Sequence, residues 1–192
     1  SGHNGLHRDG QTYDRRDNAV MLDVADVARR IIRFDCRQIV FTGGEPLLQQ
    51  PALADLCDLL GPDYHIEIES IGTVALTPGF DACVDQLNLS PKLRHSGNDD
   101  AARLNDRALS VYAADERAWF KFVIASPADA KEVADLASRY ALPADRILLM
   151  PEGTSAAVLR ERSIWLAALC QSHGWRFTDR LHIHLYGDTR GT

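Results

Sequence analysis

Four stretches of the chain alternate apolar and polar residues with period two, and segments of helical spacing lie between them. In "HIEIES", Ile66 and Ile68 oppose His65, Glu67 and Glu69; in "LNLSPK", Leu87 and Leu89 oppose Asn88 and Ser90. In "WFKFVI", Phe120, Phe122 and Ile124 oppose Lys121. In "LHIHLYG", Leu181, Ile183 and Leu185 oppose His182, His184 and Tyr186. Successive side chains of a strand point to opposite faces, so each stretch reads as a strand with one apolar face. "RQIVFTG" and "DRILLMPEG" bring the predicted strands to six. The predicted helices are "VADVARRIIRF", "PALADLCDLLG", "DDAARLNDRALSVYA", "SPADAKEVADLASRYA" with Ser126 as its cap, and "TSAAVLRERSIWLAALCQSHG" ending at Gly174. Strands that alternate with helices use them as crossovers in a mainly parallel sheet. The predicted class is α/β: an incomplete (β/α) barrel of mostly parallel strands with helices on the outer face, since six strands are too few for the closed eight-fold form.

Parallel strands covered on both faces read as continuous apolar runs. These do not, so helices are expected on the apolar face only. The other face, with Glu, Asn, Ser, Lys and His, has two readings. It meets solvent in a plain two-layer sheet, or the sheet curls and the polar groups converge in a lumen open at the strands' carboxyl ends, where ligands bind in this class. Buried polar groups are costly unless partnered, which favours a ligand for the second reading.

The 192 residues suit one domain over 1–192, with the polar opening 1–20 read as a loop or a cut end. A net charge of −6 argues against nucleic acid or an anionic membrane as partner. No apolar run reaches membrane-spanning length, and no secretory signal opens the chain. Cys36, Cys57, Cys83 and Cys170 are dispersed, with no CxxC pair. They read as isolated thiols in a reducing compartment, and a cytoplasmic location is expected.

The strand-end loops carry the remaining signal. "IVFTGGEPLLQQ" stops a strand with two glycines and a carboxylate. Gly43-Gly44 followed by Pro46 is ordinary turn chemistry; it is also how a backbone is left open to a ligand, with Glu45 as acceptor. Thr42, Glu45, Glu69, Ser70, Ser90 and Lys92 all fall at strand ends, and such a set suits a zwitterionic or hydroxyl-rich ligand. His182 and His184 are two potential metal ligands without a third, too few for a metal site. There is no P-loop, dinucleotide fingerprint or nucleophile elbow.

"FTGGEPLLQ" resembles the GGE motif of the radical S-adenosylmethionine superfamily, whose fold is a partial (β/α) barrel. Together with "IEIESIGT", "LNLSPKL", "FKFV", "LLMPEGT" and "LHIHLYGDTRGT", it resembles the 7-carboxy-7-deazaguanine synthase family from about Ile39 to the last residue. The terminal stretch sets it apart from the activating enzymes of the superfamily. The resemblance implies a radical ring contraction of 6-carboxy-5,6,7,8-tetrahydropterin to 7-carboxy-7-deazaguanine with loss of ammonia, in queuosine and 7-deazapurine biosynthesis. It implies S-adenosyl-L-methionine, a [4Fe-4S] cluster and Mg2+ as cofactors, and a homodimer. By matching motifs, Gly43, Gly44, Glu45, Glu69, Ser90, Pro91 and Lys92 would bind the cofactor. Thr42, His182 or His184, and the carboxylate of Thr192 would bind the pterin. The family's CxxxCxxC cluster loop has no counterpart among the four cysteines. The chain is therefore expected to be an N-terminally truncated form that is inactive as it stands. The alternative is a cluster-free homologue acting as a pterin- or nucleoside-binding or assembly module.

Overall fold

The computed structural model describes residues 20–189. The loop reading of the opening residues and the role assigned to Thr192 fall outside them. Six strands form one sheet in sequence order, and every neighbouring pair is parallel. The strands are β1 Gln38–Phe41, β2 His65–Ser70, β3 Gln86–Leu89, β4 Ala118–Ile124, β5 Ile147–Pro151 and β6 Arg176–Phe177. The sheet is open, with β1 and β6 at its two edges. The connecting helices are α1 Val24–Ile32 ahead of the sheet, α2 Gln50–Leu60, the single turn α3 Pro78–Asp81, α4 Asp100–Arg103, α5 Asp106–Ala113, α6 Pro127–Tyr140, α7 Ala156–His173 and α8 Leu181–Tyr186.

The predicted alternation is realised in β2 to β4. Ile66, Ile68, Leu87, Leu89, Phe120, Phe122 and Ile124 are buried and join Leu136, Tyr140 and Leu166 of the helices in one core. On the other face His65, Glu67, Asn88 and Lys121 are half-buried and Glu69 is exposed. β5 adds a feature that its continuous apolar run concealed. Lys121 pairs with Leu148 and Val123 with Met150, so β4 and β5 bring an apolar strip to the polar face.

Local chemistry fixes the helix ends. Asp23 caps α1 by accepting from Ala25 N–H, and α6 begins with a capping box in which Ser126 and Asp129 hold each other's backbone. The stretch 100–113 is two helices, broken where Leu104 is extended and Asn105 caps the second. Gly174 ends α7 in the left-handed conformation.

One predicted strand is corrected. "LHIHLY" is helix α8, and the sixth strand is the two-residue β6 that precedes it. β6 pairs with β5, then Thr178 N–H donates to Leu149 O and the chain leaves the sheet. Beyond that point the segment has no neighbouring strand to satisfy its backbone, and a helical turn supplies its own bonds, Ile183 N–H to Arg180 O and Gly187 N–H to Ile183 O. Only Ile183 of its apolar residues is buried; Leu181 and Leu185 are exposed. A strand would have placed all three on one face. Among the described residues no helix is long and apolar enough to cross a membrane.

Candidate active site

Because the strands are parallel, their carboxyl ends share one edge of the sheet, and the predicted residues after β1, β2 and β3 meet there. Gly43 has a φ of 112°, which a side chain would strain, and the space a Cβ would fill at Gly43 and Gly44 is open. This loop therefore presents bare backbone at the mouth.

Glu45 is fully engaged by the chain. Its carboxylate accepts from Leu47 N–H at 3.1 Å, capping the 3-10 turn Pro46–Gln49, from Ser70 Oγ at 2.9 and 3.0 Å, and from Ile71 N–H at 3.1 Å. Gly72 N–H in turn donates to Ser70 Oγ. Glu45 thus ties the loop after β1 to the end of β2. Buried Gln50 adds a second tie. Its amide donates to Leu47 O and Ala75 O, both at 3.0 Å, and its carbonyl accepts from Thr77 N–H at 2.6 Å.

Glu69 is the freer carboxylate. It accepts from Thr42 Oγ1 at 3.0 Å and faces Lys121 Nζ at 3.8 Å. Glu67, two residues deeper, is held by the Gln86 and Asn88 amides at 3.3 and 2.8 Å. Both glutamates lie on the same face, but only Glu69 stands at the strand end. Lys92 follows Ser90 and Pro91 after β3. Burial first, and then the Lys121 ammonium, hold its pKa below the ordinary lysine value. Two ammonium groups near each other and partly dried favour an anion between them.

The structure brings Thr42, Glu69 and Lys121 into one hydrogen-bonded and ionic chain, with Lys92 alongside. It does not keep the histidines on the sheet face. On α8, His182 and His184 are two residues apart, about 200° around the axis, and point to different sides. His184 Nε2 lies 3.0 Å from Asp179 Oδ2, and His182 is exposed.

Sequence reading missed three contributors. Lys121 was assigned to the polar face but not to the site; being the one charge within an apolar strand was the available signal. Ser70 was placed at a strand end without its partner Glu45. Arg103 gave no signal at all. It is buried, pairs with Glu132 at 2.7 Å and donates to Lys92 O at 3.0 Å, fixing the backbone that carries the ammonium.

An open parallel sheet with a polar mouth at its carboxyl ends places the chain among α/β ligand-binding folds. The crystal structure of Streptococcus suis SuiB bound to S-adenosylmethionine has a similar fold, with a TM-score of 0.56 at 10% identity over 82% of this chain and 43% of that one. No protein-family model matches the chain. It is 38% identical over 156 residues to the 7-carboxy-7-deazaguanine synthase of Pyrobaculum aerophilum, covering 80% of this chain and 67% of the relative. It is 32% identical to those of Halobacterium salinarum, over 89% of this chain and 74% of the relative, and of Rhodopirellula baltica, over 88% and 69%. The chain belongs to the 7-carboxy-7-deazaguanine synthase family.

Proposed function

We propose that the sheet mouth holds S-adenosyl-L-methionine and a carboxylated tetrahydropterin, and that the chain contributes this site to the conversion of 6-carboxy-5,6,7,8-tetrahydropterin to 7-carboxy-7-deazaguanine. The observation that carries the reading is the Thr42–Glu69–Lys121 chain with Lys92 beside it: a hydroxyl, a carboxylate and two ammonium groups, of which Lys121 reaches the mouth from within β4. Gly43 and Gly44 leave room for the methionine end of the cofactor at the backbone. Glu69 accepts from ribose or pterin donors, Lys92 and Lys121 meet a carboxylate, and Ser90 and Pro91 shape the wall between them. Leu148 and Met150 offer an apolar bed for a flat ring on the same face. When bound and reductively cleaved, S-adenosylmethionine supplies the species that takes a hydrogen atom from the pterin. Glu45 acts chiefly by fixing the loop.

The [4Fe-4S] cluster implied by the family resemblance does not fit these residues. Such a cluster needs thiolates gathered in one place. Cys36 is exposed, Cys57 and Cys170 are buried, Cys83 is half-buried, and among the described residues no three His, Cys, Asp or Glu side chains are grouped to hold a metal. Mg2+ likewise finds no ligand set among those residues. The 192-residue chain alone is therefore expected to bind without turnover. The homodimer belongs to the proposal as well, and exposed Ile32, Phe34 and Val40 give it an apolar surface that sedimentation at several concentrations would test.

Titration calorimetry with each ligand tests the site. Pterin binding by the parent, weakened about tenfold or more by Glu69→Gln and by Lys92→Ala, is the expected result. Absence of binding by either ligand, or variants that bind like the parent, would reduce the strand-end groups to turns and surface.

A further inference from the structure

A second meeting of reactive groups lies at the opposite end of the sheet and is independent of the reading above. Ahead of β2 and β3, a cavity of about 350 Å³ opens beside α2 and α3. Its wall holds Cys57 of α2, Tyr64 just before β2, and Cys83 and Asp85 just before β3. The two thiols come from segments 25 residues and more apart in sequence, yet Cys57 and Cys83 are neighbours on the wall of this one cavity. Cys57 is buried, Cys83 is partly open to solvent, and the Cys83 thiol also donates to Gly79 O at 3.8 Å. Tyr64 is 6% exposed, and its buried hydroxyl has no hydrogen-bond partner.

Metal binding does not account for the cluster. Asp85 Oδ2 is committed to Ile66 N–H at 2.7 Å, and no group of three ligating side chains forms among the described residues. What remains is a pair of neighbouring thiols of unequal exposure on one cavity wall, beside a residue whose hydroxyl is unclaimed.

We propose that Cys57 and Cys83 are a redox pair that hydrogen peroxide entering this cavity converts to an intramolecular disulfide. Cys83, the more accessible thiol, reacts first. Its thiolate attacks one peroxide oxygen, the O–O bond breaks, hydroxide leaves, and Cys83 becomes a sulfenic acid. Tyr64 lines the cavity, and its buried, unpartnered hydroxyl gains a partner by turning outward to the departing oxygen. The Cys57 sulfur then attacks the Cys83 sulfur, the S–O bond breaks, and water leaves with the Cys57 proton. Two thiols lose two electrons in all, and one peroxide is reduced to water. The order of events agrees with the electrostatics: burial, and then the neighbouring Cys83, push the Cys57 thiol up to about 12, and the part due to Cys83 disappears once that sulfur is a neutral sulfenic acid. The bridge would close a loop over residues 58–82, which contains β2 with Glu69 and Ser70, and so would staple α2 to the segment after α3.

The test treats the purified chain with a small excess of peroxide, blocks free thiols and maps peptides by mass spectrometry. The expected result is a mass loss of about 2 Da per chain, a linked Cys57–Cys83 peptide reversed by dithiothreitol, and a melting temperature raised by roughly 5–10 °C. Cys36→Ser should leave the linkage intact and Cys83→Ser should abolish it. Cys57→Ala should leave a sulfenic acid on Cys83 that dimedone traps, a readout that survives if Cys83→Ser fails to fold. Tyr64→Phe should slow linkage several-fold. Oxidation confined to Cys36, disulfides only between chains, or a parent that gains oxygen without forming the linked peptide would each overturn the proposal.

Discussion

Lys92 shows how one side chain carries both cost and use. Its ammonium is partly buried and faces a second ammonium, so the folded state disfavours its charge. The penalty is fully present below the lowered folded pKa. It fades as pH rises towards the unfolded value of about 10.4, because there the unfolded chain binds the extra proton and stability increases with pH. Lys92→Met, which removes the charge and keeps the stem, should therefore melt higher than the parent at pH 7. The difference should narrow by pH 10, and the variant should bind the carboxylated pterin more weakly than the parent in calorimetry. Thermal unfolding at the two pH values checks the first part; a gap that widens with pH would refute it. Glu45 makes the opposite case. Each of its hydrogen bonds goes to the chain, so Glu45→Gln, which keeps the shape but turns one acceptor oxygen into a donor facing Ser70 Oγ or a backbone N–H, should destabilise by roughly 1–3 kcal/mol. Urea unfolding would measure it, and a neutral result would mean that the tie to β2 contributes little.

Elements position these residues, and here legibility was uneven. β2, β3 and β4 were readable because their alternation is long enough to separate two faces, and α6 and α7 because Ser126 marks the start of the one and Gly174 the end of the other. Period two failed for Leu181–Tyr186. Six residues with alternating Leu and Ile fit a strand only if a neighbour completes the ladder, and the sequence does not say that β6 ends at Phe177. The Thr42–Glu69 contact was latent in the parallel register, but the tie through Arg103 was not, because a buried arginine on a one-turn helix has no periodicity to betray it. That tie gives a sharp prediction. Arg103→Met leaves the largely buried Glu132 without its closest cation, with only Arg94 beside it, and should cost about 3–5 kcal/mol. Asp100→Asn, altering the exposed partner, should melt close to the parent. Asp129 gives a pH test at the same scale. Burial pushes its carboxyl up, but hydrogen bonds from Ala125 N–H, His95 and Ser126 outweigh this and hold it below the usual carboxylate value. Its contribution is present above the unfolded pKa of about 3.9 and lost as pH falls through the lower folded value. Asp129→Asn should cost about 1 kcal/mol at pH 7 and progressively less in acid; a cost that grows in acid would contradict the assignment.

At the scale of the molecule the sheet is anchored unequally along its width. β3 and β4 sit between neighbours on both sides and carry Leu87, Leu89 and Phe120 with no exposure, whereas β6 is two exposed residues long and α8 buries Ile183 alone. Local opening free energy follows buried apolar contact and protected backbone, so the segment 176–189 should open far below the global free energy. Its amides should exchange on the order of 100-fold or more faster than those of β4. The ties that hold the segment cluster on its first five residues: β6 pairs with β5, Arg176 Nε donates to Asp145 O at 2.6 Å, Thr178 N–H to Leu149 O and Arg180 Nη1 to Gly153 O at 2.8 Å. A segment so lightly held at one edge of the sheet costs little to move. If His182 or His184 contacts the pterin in the bound state, hydrogen exchange with 6-carboxytetrahydropterin present should slow across 181–189 by an order of magnitude or more, with β3 and β4 unchanged. Protection limited to the loops after β1, β2 and β3 would place the pterin at the mouth without the tail, and α8 would then be an edge closure for the sheet with no part in binding.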